Sequence, residues 1–146
     1  MESRSVSIAW KIMLIPSFII LIFGLVFTFV PETVLSSGYE GFTGQSWSAL
    51  SAETVDWILL ASGRMFGVHV LIIAILLFAI ALKSFRKGER WSWYAILITV
   101  TLGMSFDSVA VYMMGELYVV AIDIIMLLIA YLALGISAKD ILGKNS

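Results

Sequence analysis

Cysteine is absent from the 146 residues. That excludes disulfides, thiolate metal sites, cysteine nucleophiles and dithiol redox chemistry together. Charge is scarce: 13% of residues are Asp, Glu, Lys or Arg, against about 25% in an ordinary soluble domain. Nine basic residues face ten acidic ones, for a net charge of −1. No basic field exists to attract nucleic acid. There is one histidine, His69, so a paired-histidine metal site is excluded. The chain also lacks a P-loop, a GxSxG elbow and an HExxH motif. No catalytic residue, metal ligand or cofactor can be named from it. What is present is apolar: 61% of residues, with a mean hydropathy of +1.04. Neither a disordered chain nor a normal water-soluble domain has that composition.

A bilayer core about 30 Å thick needs about 20 apolar residues in a helix. Four runs meet the requirement, at about 12–30, 57–82, 91–115 and 117–136. Residues 1–146 are therefore expected to form a single membrane domain. The first run is too long for the 7–15 apolar residues usual in a signal peptide, so it is read as a retained helix. Residues 31–56 form the one long connection, an outer loop rich in Gly and Ser that also carries Tyr39, Phe42 and Trp47. It is expected to lie on the membrane face or to act as a lid over the bundle mouth, with a short amphipathic turn over 48–56. The other connections are tight, with Gly88 and Gly115 at the turns. Short connections make successive helices antiparallel neighbours.

Basic residues set the orientation. Arg4, Lys11, Lys83, Arg86, Lys87, Arg90, Lys139 and Lys144 all fall on one side of a four-span arrangement. The connection over 31–56 has no Lys or Arg, but it has Glu32, Glu40, Glu53 and Asp56. The expected fold is an all-α integral membrane four-helix bundle, up-down-up-down, with both termini cytoplasmic in the cell membrane. Trp10, Trp57, Trp91, Trp93 and Tyr94 sit at the expected span ends, where amphipathic rings favour the headgroup region.

Ionisable groups within lipid cost about 2.5–3.5 kcal/mol each at a helix centre and point to function. Three stand out: Arg64, Asp107 and Asp123. Arg64 lies seven residues inward from Trp57, Asp107 eight from Gly115, and Asp123 six from Leu117. At about 1.5 Å per residue they share one depth to within a helical turn. The expectation is an intramembrane polar cluster, structural or ligand-binding, in which Arg64 bridges one or both aspartates. Ser105, Ser108 and Tyr112 could add hydrogen bonds. His69 is read as a hydrogen-bonded interior residue. Gly63 and Gly67 form a GxxxG pattern for close helix packing, inside the bundle or in a homodimer, with internal packing favoured because it would bring Arg64 to the acids. Met13, Met65, Met104, Met113, Met114 and Met126 are read as packing rather than as a copper site.

The chain resembles the DoxX-like group of small four-helix membrane proteins. The resemblance rests on Phe29-Val30-Pro31-Glu32, on Gly63-Arg64 with Gly67, and on Arg86-Lys87-Gly88-Glu89-Arg90-Trp91. It implies a four-helix membrane fold. Some members are associated with quinone-linked sulfur oxidation or membrane redox complexes, but no catalytic motif here can be matched residue by residue. Three functional readings follow: an accessory subunit or interaction module, partnered by the bilayer, other membrane subunits or a second copy; a binding or carrier protein for a lipophilic or protonatable molecule; and a quinone-linked redox subunit by family analogy.

Overall fold

A computed structural model describes residues 3–113 and 115–143. Met114 and Lys144 lie outside the described residues. Within them the chain forms five α-helices and no strand. These are α1 (Arg4–Phe29), α2 (Pro31–Thr43), α3 (Ala52–Phe85), α4 (Arg90–Met113) and α5 (Leu117–Leu142). Four of them, α1 and α3 to α5, are long and apolar enough to cross a membrane. The chain is thus a multi-pass membrane protein by helix length and composition.

Helix α1 begins at Arg4, eight residues before the apolar run. Ser3 explains the early start: its hydroxyl accepts from the Val6 amide at 3.3 Å, the usual N-cap bond. Pro16 sits inside the helix and is buried. Val30 breaks α1 from α2 with φ −134° and ψ 50°, and Pro31 then opens α2 at its first turn, where a missing N–H costs nothing. This corrects the expected loop over 31–56. Its first half is a helix, with Glu32 in the first turn and Gly44 closing it at φ +67°. A single 3₁₀ turn, Trp47–Ala49, leads to α3, which Ser51 caps by accepting from Thr54 N at 3.2 Å. Helix α3 widens into π-type turns at Leu59–Arg64 and at Ala81–Phe85. Gly88 and Gly115, at φ +73° and +82°, make the two tight turns. The guanidinium of Arg90 donates to the last carbonyls of α5, those of Ile141 and Leu142, and so caps that helix with a cation.

The helices pack in the order α3, α1, α5, α4. Helix α1 lies along both α3 and α5, and α5 lies along α4, whereas α3 and α4 touch over a short stretch, mostly near Ala81–Phe85. The core follows this pattern. Met13, Ser17, Ala74, Leu77, Ala81, Phe85, Ser92, Ile96, Val100, Ala130, Ala133, Ser137 and Ile141 are buried. All lie toward the end that carries Arg4, Arg86 and Lys139, called here the basic end. The buried hydroxyls donate within their own chain: Ser17 to Met13 O at 2.9 Å, Ser92 to Glu89 O at 2.6 Å and Ser137 to Ala133 O at 3.0 Å. Without water, a polar group in the bilayer must find such a partner.

At the opposite, acidic end the packing rests on one glycine seam. Gly24 of α1 faces Leu71, and Gly63 and Gly67 of α3 face Pro31 and Thr28. A Cβ on Gly67 would lie 2.5 Å from the Thr28 amide nitrogen, and one on Gly63 would lie 2.4 Å from Pro31 Cβ. Only glycine permits that approach. Phe27 and Phe66 meet edge to face across the same contact, centroids 5.2 Å apart.

Candidate functional site

The three ionisable residues of the apolar spans do not form one cluster. Asp107 on α4 and Asp123 on α5 come together, with their carboxyl groups within hydrogen-bonding reach. Ser108 donates to Asp123 Oδ2 at 3.4 Å. Asp123 is buried, at 3% exposure, while Asp107 is half-buried. Both continue inward-facing stripes of their helices: Ser92, Ile96 and Val100 on α4, and Met126, Ala130 and Ala133 on α5. Asp107 remains partly exposed because α3 and α4 separate toward this end. The pair is thus a site where a hydrogen-bond donor meets two carboxyl groups.

Arg64 lies elsewhere. The glycine seam turns α3 toward α1 and α2, and that sets the direction of every other residue on this stretch. A helix advances about 100° per residue. Met65 and His69 each follow a seam glycine by two residues, so they face away from α1; Arg64 and Val68 lie beside them. All four are exposed and line a shallow recess of about 280 Å³. Arg64 has no hydrogen-bond or ion-pair partner among the described residues. The expected bridge from Arg64 to the aspartates is therefore corrected: the close packing that was to bring them together joins α3 to α1 and α2 through its glycines and leaves Arg64 exposed beside the face turned away from α1.

His69 is corrected as well. It is hydrogen-bonded, but it is exposed rather than interior. Its Nδ1 lies 2.6 Å from the Met65 carbonyl. A carbonyl only accepts, so Nδ1 carries the proton in this hydrogen bond. Ser105 and Tyr112, expected around the cluster, are exposed, and of the three candidate donors only Ser108 joins the aspartates. No three His, Asp or Glu side chains converge among the described residues.

The segment over 31–56 holds a polar network that the sequence reading missed. Glu40 accepts from the Trp47 amide at 2.8 Å, Glu32 accepts from the Trp47 indole at 3.4 Å, and Tyr39 meets Trp47 edge to face. This folds the 3₁₀ turn back onto α2. The spacing of Tyr39 and Glu40, seven and eight residues after Glu32, was the available signal for a helix with one polar face.

Compared with known protein families, curated proteins and solved structures, the chain matches none.

Proposed function

We propose that the chain is an up-down-up-down four-helix membrane protein, with both termini on the cytoplasmic side, that serves as an interaction module or accessory subunit. The Lys/Arg distribution supports the orientation. The observation that carries the function is the outward face of α3. Arg64 and His69 stand there among Met65, Val68 and Ile72, opposite the seam that holds α3 to the rest of the protein. A cation on a lipid-facing surface is costly, and a neighbouring helix that offers an acceptor removes the cost. The π-type turn ending at Arg64 fits this reading, since such turns recur at functional sites.

A photo-crosslinking side chain at Val68 tests it. The reading expects a protein adduct there that disappears in Arg64→Leu, and only lipid adducts from Ile98 on α4. Equal adducts from both positions, or adducts indifferent to Arg64, would overturn it. Orientation is tested by cysteines placed at Ser3 and Ser46: the second should label in intact cells and the first only after permeabilisation.

A second reading has its own observation. The Asp107–Asp123–Ser108 group, half open toward the gap between α3 and α4, is suited to a small lipophilic molecule with a protonated or donor group. The DoxX-like resemblance, and any quinone-linked role, rests on the three short motifs alone.

A further inference from the structure

The basic end contains a constructed feature that neither reading uses. Trp10 of α1 is approached by cations from two separate elements. Lys11 Nζ lies 5.7 Å from its ring centroid, and the Arg86 guanidinium carbon, from the turn after α3, lies 5.2 Å from it. The indole Nε1 is buried and without a hydrogen-bond partner, so the ring contributes its π face rather than its polar edge. Lys11 and Arg86 are both exposed. Two cations from separate elements thus stand within reach of one ring.

Their position selects an anion. Lys11 immediately precedes the apolar run that starts at Ile12, and Arg86 immediately follows Phe85, where α3 ends. Both cations therefore stand at the boundary between the hydrocarbon and the headgroups, the level of a phospholipid phosphate. The surrounding field agrees. Among the described residues this end has seven Lys and Arg and two acids, Glu89 and Asp140. Glu89 accepts from the Trp91 indole at 2.7 Å, and Asp140 accepts from Ser5. Clusters of this size beside a span attract anionic lipid, at about 1 kcal/mol per Lys or Arg.

We propose that Trp10, Lys11 and Arg86 form a clamp for the phosphate of an anionic phospholipid. The proposal is independent of the Arg64 face. The full chain is placed in phosphatidylcholine nanodiscs with and without phosphatidylglycerol, and bound lipid is counted by native mass spectrometry. Wild type is expected to retain phosphatidylglycerol selectively. Lys11→Gln with Arg86→Gln is expected to weaken that retention on the order of tenfold or more. Lys87→Gln with Lys139→Gln removes the same charge from residues that do not lie over the ring, and should leave most of the retention. Trp10→Leu keeps both charges and should lose the selectivity. Should the Arg86 change unfold the protein, Lys11→Gln alone, at an exposed position, still has to weaken retention several-fold. Equal losses in the two double variants would mean a diffuse basic field and no clamp. No preference for phosphatidylglycerol in wild type would overturn the proposal. So would equal protection of the wild-type melting temperature by inorganic phosphate or by an acidic peptide, which would reassign the cations to a soluble anion or a protein partner.

Discussion

The two ends of this bundle are built differently from similar material. At the basic end, alanines, serines and one large ring pack four helices together: Ala74, Ala81, Ala130 and Ala133 are at most 1% exposed, and Phe85 is fully buried among them. At the acidic end the close approach is confined to one seam of three glycines, where Gly24 and Gly67 join α1 to α3 and Gly63 of α3 meets Pro31 of α2, while α4 shows Phe106, Tyr112 and Met113 outward. Apolar side chains gain little by leaving lipid for protein, so tight association in a membrane needs small residues and close contact. Where they are present on all four helices the bundle closes; where they are confined to the contacts of α3 with α1 and α2 it opens, and there Arg64 is exposed and Asp107 half-buried.

The largest expected difference is between two phenylalanines. Phe85→Ala at the closed end should cost about 3–5 kcal/mol, the range for emptying a packed site. Phe106→Ala, at a residue 74% exposed, should cost less than about 1 kcal/mol. Reversible unfolding in mixed micelles measures both, and similar costs would dissolve the distinction. A smaller contrast separates two glycines. Gly67→Leu forces a side chain into the Thr28 backbone and should destabilise by about 1–3 kcal/mol or more. Gly103 has nothing within 4 Å of its Cβ direction, so Gly103→Leu should be neutral or slightly stabilising through helix propensity. The smallest effect lies in the basic turn. Hydrogen bonds from Ser84 and the Trp91 indole hold the Glu89 carboxyl below its ordinary pKa of 4.5. Its contribution is present above that value and is lost as pH falls through the lowered one. Wild type should therefore lose a little melting temperature on acidification below about pH 4.5, a loss that Glu89→Gln lacks over the same window.

Apolar run length made the four spans legible, and the tight turns at Gly88 and Gly115 followed from the gaps between them. The ends were less legible, because α1 and α5 continue past the apolar runs to Arg4 and Leu142 on polar residues that Ser3 and Arg90 cap. Helix α2 was hidden because Ser36, Ser37, Gly38 and Gly41 read as loop, and because Pro31 served equally as a stop for one helix and a start for the next. The site was half legible. Depth along a helix can be counted from a sequence, and for Asp107 and Asp123 on neighbouring helices that count led to a real pair. Direction around the helix is set by which neighbour a small-residue face meets. Gly63-x-x-x-Gly67 announces a close contact without naming its partner, and the partners proved to be α2 at Gly63 and α1 at Gly67.

The central claim is that Arg64 faces away from the aspartate pair. A double-mutant cycle over Arg64→Leu and Asp107→Asn, read by unfolding in mixed micelles, tests it most directly. Residues without a shared contact add to within about 0.3–0.5 kcal/mol. The account predicts a coupling energy inside that margin, with Arg64→Leu no more damaging when Asp107 is charged than when it is an amide. A coupling well above 1 kcal/mol would place Arg64 against the carboxyls and contradict it.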